Sequence, residues 1–250
     1  MTILVTGGTG RLGRHTVDAL RAGGHAVRIL SRRAGTDHVV GDLTTGDGVA
    51  AALAGVDVVV HLATTRSKDI AQTRMLLDAL AGSGTRLVFI SIVGVDRVPY
   101  AYYRDKLASE EAIAASGVPH TIVRVTQFHG FVSEFLDAQR RLPVTIVVPA
   151  TVQTIHMPEV AARLVELAEA GPQGRVADVG GPELLTLREH AVQWQRAHGI
   201  RRPIWTLPLP GAFARAVREG HLTSGLPGAG RVTFRAYLAE QLGERATNGT

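Results

Sequence analysis

The sequence predicts a doubly wound α/β fold, in which helices cover both faces of a mainly parallel β-sheet. Three observations support this prediction: an N-terminal strand leads through a glycine-rich turn into a helix, short apolar runs then alternate with helical patterns, and this rhythm changes after Pro143. Right-handed crossovers determine the winding of such a sheet. We therefore expect a first domain over residues 1–143 and a smaller lobe over residues 144–250, partly interwoven with the first.

The glycine-rich turn spans residues 6–13, Thr-Gly-Gly-Thr-Gly-Arg-Leu-Gly, and follows the apolar run Ile3-Leu4-Val5. Glycines are needed there because a side chain would keep the backbone from a pyrophosphate bound at the helix N-terminus. A glycine-rich turn that binds nothing is the alternative. The position between a strand and a helix favours a dinucleotide site. The residues expected to contact the dinucleotide are Gly7, Thr9, Gly10, Arg11, Leu12 and Gly13.

The second predicted strand, over residues 25–30, is followed by Ser31, Arg32 and Arg33, about twenty residues beyond the glycines. A carboxylate at this place accepts a hydrogen bond from the ribose 2′-OH of NAD, whereas arginine meets the 2′-phosphate of NADP. No acidic residue occurs between Asp18 and Asp37. The sequence therefore favours NADP, although one of the two arginines could simply be a solvated surface residue.

Three more strands are predicted over residues 38–40, 56–61 and 87–90. The carboxyl ends of parallel strands form the edge at which open α/β sheets bind ligands. Asp42, after the third strand, can accept a hydrogen bond from the adenine amine or can instead cap the next helix. The other cofactor contacts expected at this edge are Leu43, Leu62, Ala63 and Thr64.

The composition excludes several classes of function. The chain has no cysteine, and its ten histidines show no metal-ligand spacing, so we expect no metal site. The net charge is +5 and the pI is near 10.2, but the charge is dispersed and only 5% of residues are aromatic, so nucleic acid is not an expected partner. No apolar run reaches roughly 18 residues and no signal-peptide pattern is present. We expect a cytoplasmic monomer or homodimer that acts on a small molecule without membrane contact.

Residues 100–106 hold three of the four tyrosines and one of the two lysines. Tyr102 and Lys106 are spaced i, i+4 and share a helix face, which Tyr103 is not expected to share. A nearby ammonium favours the phenolate of a tyrosine, whose ordinary pKa is about 10. Such a tyrosine can act as the general acid in a hydride reduction, with Ser91 holding the same substrate oxygen. Aromatic packing at a helix start is the alternative for Tyr102.

With these motifs the chain resembles the short-chain dehydrogenase/reductase superfamily, and more closely its atypical, NmrA-like branch of NADP-binding reductases. The resemblance rests on T-G-x-x-G-x-x-G, on Asp42 and Ser91, on Y-x-x-x-K from Tyr102 to Lys106 with Glu110 beyond it, and on the helix from Asp69 through Thr73 to Ala79. It implies a Rossmann-type fold, with Tyr102 as acid/base, Lys106 on the nicotinamide ribose and Ser91 orienting the substrate. The chain departs from the pattern at Asp69, where extended members commonly have asparagine.

The segment after the sixth predicted strand supplies candidate pocket residues, namely Gln127, Phe128 and His129. Alternatively, Phe128, Phe131 and Phe135 form the buried stripe of a helix. Few charges fall in the segments expected to face the substrate, which favours a small, mostly apolar carbonyl, enone or quinone. The resulting hypothesis is an NADP(H)-dependent oxidoreductase, in which residues 1–143 bind NADP and residues 144–250 form the smaller substrate-binding lobe. A regulatory protein that senses NADP without turnover and a non-redox enzyme of the epimerase or dehydratase type are the alternatives.

Overall fold

A computed structural model describes residues 1–65, 68–208, 210–225 and 228–248. Its helices and strands are, in chain order, β1 (Thr2–Thr6), α1 (Arg11–Ala22), β2 (Ala26–Ser31), β3 (His38–Val40), α2 (Val49–Leu53), β4 (Val58–His61), α3 (Asp69–Leu80), β5 (Arg86–Ile92), α4 (Ala101–Ala115), β6 (His120–Val125), β7 (Gln127–Phe128), α5 (His129–Asp137), β8 (Thr145–Val147), β9 (Thr151–Ile155), α6 (Met157–Glu169), β10 (Gly174–Arg175), β11 (Leu184–Thr186), α7 (Leu187–Ala197), β12 (Ile204–Thr206), α8 (Ala212–Arg218) and α9 (Phe234–Asn248). Among the described helices, none has the length and apolar character that a bilayer crossing requires.

A mostly parallel sheet of seven strands confirms the predicted Rossmann-type fold, with the order β10-β6-β5-β4-β1-β2-β3. Strand β1 pairs in parallel with β2 on one side and with β4 on the other, so that Val5 lies opposite both Ile29 and Val60. Because these strands run in one direction, the turns after β1, β4 and β5 leave the sheet at the same edge. That edge carries most of the predicted site residues.

Both faces of the sheet are covered, as the sequence predicted. Leu4 and Val59 pack in a core with Leu76 of α3 and Ile113 of α4. Their neighbours along the strands point to the opposite face because side chains alternate along a strand, and Val58 and Val60, like Val59, are fully buried. Helix α1 packs against α6. The valine run of β4 is therefore a strand buried on both sides.

The chain folds into two compact units that are discontinuous in sequence. The first comprises Met1–Asp96, Tyr100–Arg124 and Met157–Ala177, and the second comprises Arg97–Pro99, Val125–His156 and Asp178–Thr250. A single boundary between residues 143 and 144 therefore does not describe these units. The segment 157–177 belongs to the first unit because α6 packs on α1 and β10 pairs with β6. The assignment of cofactor and substrate to separate parts of the chain stays a prediction.

The second unit contains a three-stranded sheet of order β11-β9-β7 and a parallel pair formed by β8 and β12. A capping box is present at α7, where the Thr186 and Glu189 side chains each bond the other's backbone N–H. Helix α5 exists, but the idea that its phenylalanines form a buried stripe is wrong, because Phe131 is 63% exposed and Phe135 is 42% exposed. The buried face of α5 instead consists of His129, Val132, Ser133 and Leu136.

Candidate active site

The glycine turn between β1 and α1 has the geometry that a pyrophosphate requires. Gly7 has φ of +72°, and a Cβ on it would lie 2.7 Å from the backbone nitrogen of Ala63. A Cβ on Gly13 would lie 2.1 Å from the carbonyl oxygen of Gly7, so the helix and the turn touch directly. Gly10 is the exposed N-cap of α1, and no side chain of the described residues caps this helix. The helix N-terminus therefore fits an anionic ligand.

Two alanine substitutions are expected to separate the roles of these glycines. Gly13→Ala forces a methyl group into the Gly7 backbone and is expected to lower the free energy of unfolding by about 1–3 kcal/mol. Gly10→Ala has a backbone conformation that alanine tolerates, with φ of −71°, and its Cβ would lie 3.2 Å from the Gly7 carbonyl oxygen. It is therefore expected to cost less stability than Gly13→Ala but to weaken NADPH binding. Denaturant unfolding and NADPH titration measure the two effects. Normal NADPH affinity in Gly10→Ala would contradict a pyrophosphate at this turn.

The turn after β2 carries arginines at the place where the 2′-OH of NAD or the 2′-phosphate of NADP is expected. Arg32 and Arg33 are both exposed, and the Ser31 hydroxyl accepts a hydrogen bond of 3.1 Å from the Arg33 N–H. The first carboxylate beyond β2 belongs to Asp37, which pairs with Arg21 at 2.7 Å. A 2′-phosphate at this turn would thus meet the two guanidinium groups before any free carboxylate.

Asp42 stabilises its own loop. Its carboxylate accepts a hydrogen bond of 2.7 Å from the backbone N–H of Thr44, and this bond, assisted by the charges of Arg32 and Lys68, lowers the pKa of Asp42. The alternative that Asp42 caps the next helix is wrong, because α2 begins after Gly48 and receives no side-chain cap within the described part of the chain. One carboxylate oxygen is bonded to Thr44, and the adenine role stays a prediction.

The neighbouring predicted contacts differ in burial. Leu43 and Leu62 are 5% and 9% exposed, so their side chains belong to the interior of the first unit. Ala63 is half-buried and Thr64 is exposed. Any contact of the two leucines with a cofactor would therefore be made mainly by their backbone. The contacts with Ala63 and Thr64 could also involve their side chains.

A chain of buried hydrogen bonds beneath the glycine turn was not anticipated from the sequence. Thr6 Oγ1 accepts from the Ala63 N–H at 3.3 Å and lies 2.6 Å from Nδ1 of His61. Nε2 of His61 lies 3.4 Å from Thr73 Oγ1, which donates to Ser109 Oγ at 3.3 Å. Burial lowers the pKa of His61 to about 3. His61 is therefore a neutral ring that links the turn to α3 and α4.

Tyr102 and Lys106 meet a shared carboxylate. The hydroxyl of the half-buried Tyr102 lies 3.2 Å from Thr64 Oγ1, which donates to Oδ2 of Asp69 at 2.7 Å. The ammonium of Lys106 lies 3.4 Å from the same oxygen and 4.7 Å from the centre of the Phe89 ring. The structure thus brings together the two residues that the helix spacing paired, and adds Asp69.

Lys106 is an enclosed cation, only 4% exposed. Burial lowers the pKa of Lys106, while the carboxylates of Asp69 and Glu110 oppose that shift. The ion pair with Asp69 compensates its charge. Its contact with a nicotinamide ribose stays a prediction.

The expectation that Tyr103 does not share a face with Lys106 is wrong. Tyr103 and Lys106 are spaced i, i+3 and both lie on the buried stripe of α4, together with Ser109, Glu110 and Ile113. Tyr103 is 8% exposed. Tyr103 is therefore a closer competitor to Tyr102 than the helical spacing suggested.

Ser91 lies at the carboxyl end of β5 and is 1% exposed. Its hydroxyl has no hydrogen-bond partner among the described residues. Buried hydroxyl groups in proteins are nearly always bonded, so an unpaired one indicates a missing ligand or water. Ser91 therefore fits the predicted role of binding a substrate oxygen, which stays a prediction.

A buried guanidinium anchors the helix that carries Tyr102. Arg124, at the end of β6, binds Glu110 of α4 through Nη2 at 2.7 Å and Asp96 through Nη1 at 2.9 Å. Burial works against its charge, but the bonds from Glu110 and Asp96 raise the pKa of Arg124 above its ordinary value. The sequence pointed to Glu110 only through the family motif, because nothing local indicates its partner.

The predicted pocket residues Gln127, Phe128 and His129 lie in the second unit. His129 is 1% exposed, with Nδ1 at 2.7 Å from Thr154 Oγ1 and Nε2 at 3.0 Å from the Val232 carbonyl oxygen. Burial lowers the pKa of His129 to about 4. Both ring nitrogens are bonded within the protein. The three pocket assignments stay predictions.

Comparison with known proteins identifies the family. The profile of the NAD(P)H-binding family matches residues 7–171. A (4-alkanoyl-5-oxo-2,5-dihydrofuran-3-yl)methyl phosphate reductase of Streptomyces griseus is 34% identical over 215 residues, covering 81% of this chain and 75% of that protein. A ceramide reductase of Caulobacter vibrioides is 27% identical over 241 residues, covering 84% of this chain and 74% of that protein.

Among solved structures, an NADPH-dependent quinone oxidoreductase of Escherichia coli complexed with NADPH superposes with a TM-score of 0.80. It shares 17% identity and covers 96% of this chain and 99% of that chain. This likeness concerns the fold, whereas the family profile spans well over half of the chain. The profile begins at the glycine turn and includes Tyr102 and Lys106. The chain therefore belongs to the NAD(P)H-binding family.

Proposed function

We propose that the protein is an NADP(H)-dependent oxidoreductase that transfers hydride between the nicotinamide and a small, mostly apolar carbonyl, enone or quinone. One observation carries this proposal: the Tyr102 hydroxyl and the Lys106 ammonium converge, through Thr64 and Asp69, next to strand ends that bear the glycine turn. A tyrosine hydroxyl in such a place can donate a proton to a substrate oxygen. A packing role alone requires no such polar connection.

Different residues of the first unit would serve different parts of such a reaction. The nicotinamide, when bound, supplies or accepts the hydride. The glycine turn and the α1 N-terminus would hold the pyrophosphate, and Arg32 with Arg33 would hold the 2′-phosphate. Tyr102 would exchange the proton at the substrate oxygen, and the unpaired hydroxyl of Ser91 would orient that oxygen.

The names of two of the three similar proteins support a conjugated carbonyl as the substrate. The Streptomyces relative is named for the phosphate ester of an alkanoyl oxo-dihydrofuran and the Escherichia coli structure for a quinone, and in both compounds a carbonyl group is conjugated with a ring double bond. Conjugated carbonyls place negative charge on an oxygen as hydride arrives. A nearby hydroxyl donor stabilises that developing charge. We therefore favour quinones and enones over simple ketones.

The loss of NADPH absorbance tests this function directly. The purified protein is incubated with NADPH and one compound at a time from a panel of quinones, enones, aldehydes and ketones, with protein-free mixtures as controls. We expect protein-dependent NADPH oxidation with at least one quinone or enone. Tight NADPH binding without oxidation by any compound would refute the oxidoreductase proposal.

If NADPH binds but no compound of the panel is reduced, a protein that senses the cofactor without turnover becomes the better explanation of the site. One observation favours this second candidate, since Lys106 is 4% exposed and already paired with Asp69. A lysine held in this way could be structural. The panel separates the two candidates because a sensor binds NADPH without consuming it.

A further inference from the structure

The hydrogen bonds between Tyr102 and Asp69 have a defined direction. Oδ1 of Asp69 accepts from the backbone N–H of Thr65 at 2.7 Å, and Oδ2 accepts from Thr64 Oγ1 at 2.7 Å. The Lys106 ammonium approaches the same Oδ2 at 3.4 Å. All three neighbours are donors. Asp69, which is 2% exposed, therefore acts as a carboxylate that only accepts.

This arrangement determines where the hydroxyl hydrogens lie. Thr64 has a single hydroxyl hydrogen, and the carboxylate of Asp69 holds it. The oxygens of Thr64 and Tyr102 are 3.2 Å apart, so the hydrogen between them must come from Tyr102. A phenolate at Tyr102 would instead face an oxygen lone pair of Thr64. The hydrogen-bond chain thus favours the protonated form of Tyr102.

The charges act in the same direction. Lys106 is the cation expected to favour the phenolate, but the carboxylate of Asp69 compensates it at 3.4 Å. Among the described residues, the rings of Tyr100 and Tyr103 also contact Tyr102, with ring centres 6.3 Å and 6.2 Å away. The negative charge of Asp69 therefore offsets the effect of the Lys106 ammonium on Tyr102.

We propose that Asp69 is a positioning residue that, through Thr64, keeps Tyr102 protonated and so prepares the site for reduction rather than for oxidation of an alcohol. Its role in turnover rests on the proposed function. Reduction consumes one proton, which the Tyr102 hydroxyl donates to the substrate oxygen. Water then returns a proton to the Tyr102 phenolate. Oxidation needs the phenolate at the start, which Asp69 disfavours. An asparagine at this position could not impose this direction, because its amide can also donate.

The first test is the titration of Tyr102 in the full-length protein, followed by the ultraviolet absorbance of tyrosinate. The Tyr102 signal is the difference between each protein and its Tyr102→Phe counterpart. In Asp69→Asn the amide can donate to Thr64, which frees the Thr64 hydrogen for Tyr102, and Lys106 loses its counter-ion. Both changes favour the phenolate, so we expect the midpoint of tyrosinate formation to fall by at least about one pH unit. An unchanged or higher midpoint would overturn the proposal.

A second variant covers the case in which Asp69→Asn does not fold with Lys106 unpaired. Thr64 is exposed, so Thr64→Val is expected to fold normally. It removes the acceptor of the Tyr102 hydrogen, and the midpoint should fall. If Thr64 instead donated to Tyr102, the same substitution would raise the midpoint, so the sign of the shift decides. Thr64→Ser retains the hydroxyl and is the matched control, with an unchanged midpoint.

The turnover experiment uses the same variants. In Asp69→Asn the pH above which NADPH-dependent reduction declines should fall by the same amount as the tyrosinate midpoint. A loss of rate at every pH without a shift of the profile would indicate a purely structural role and would overturn the assignment. The titration needs neither substrate nor cofactor. If no compound of the panel is reduced, the proposed function fails while the titration still decides whether Asp69 controls Tyr102.

Discussion

Tyr102→Phe is expected to lower the rate of NADPH-dependent reduction by about 10²–10⁴-fold, the usual contribution of general acid catalysis. The substitution removes only the hydroxyl that lies 3.2 Å from Thr64 and leaves the ring to pack against Tyr100 and Tyr103. The fold and the NADPH affinity should therefore be retained. Single-turnover measurements at saturating NADPH report the chemical step. Circular dichroism and NADPH titration check the fold and the binding.

The two neighbouring tyrosines provide matched controls. Tyr100 is 45% exposed, and Tyr100→Phe is expected to leave the rate close to that of the wild type. Tyr103→Phe is the more demanding control, because Tyr103 lies on the buried stripe of α4 with Lys106. We expect it to affect stability rather than rate. A large loss of rate in Tyr103→Phe, with near-normal turnover in Tyr102→Phe, would move the proton donor to Tyr103.

Arg32→Asp is expected to weaken NADPH binding by about one to two decades and to leave NADH binding unchanged or improved. A charge-assisted hydrogen bond to a phosphate contributes about 1.5–3 kcal/mol, which corresponds to that range of affinity. The introduced carboxylate would repel the 2′-phosphate of NADPH but could accept a hydrogen bond from the 2′-OH of NADH. Fluorescence titration with each cofactor measures the change in preference.

The charge-matched control for this substitution is Arg74→Asp, at an exposed position of α3. It makes the same change in net charge, so it reveals any effect of overall charge on binding of the anionic cofactor. We expect it to weaken NADPH and NADH equally and slightly. If the unmodified protein binds both cofactors with equal affinity, the basis of the NADP preference is removed.

Local sequence patterns were sufficient for the α/β class because they encode local conformation. Alternating apolar runs and helical patterns predicted the first six strands of the seven-stranded sheet, and the glycines at positions 7, 10 and 13 marked the turn before α1. The seventh strand, β10, lies in the segment that the sequence assigned to the smaller lobe. The helix spacing likewise placed Tyr102 and Lys106 within one turn of each other. The same spacing led to a wrong prediction for Tyr103, because the buried face of α4 includes Tyr103 as well as Lys106.

The short elements of the second unit were less predictable. Helix α5 was one of two alternatives, and its burial was opposite to the expectation for Phe131 and Phe135. Apolar residues are not always buried, and the two phenylalanines remain exposed while the polar His129 and Ser133 are enclosed. Such an inversion depends on partners that a local pattern does not contain. His129 is enclosed because Thr154 and Val232 satisfy its ring nitrogens.

The sequence by itself determined the first six strands of the sheet, the glycine turn, the candidate cofactor class and the i, i+4 relation of Tyr102 and Lys106, because each depends on residues close together in the chain. Only the tertiary structure decided which polar side chains bond to one another. Tyr102 and Thr64 are 38 positions apart, and Thr6 and His61 are 55 apart. These partners meet because α3 and α4 pack onto the strand ends, and a polar group finds its partner wherever the fold places one.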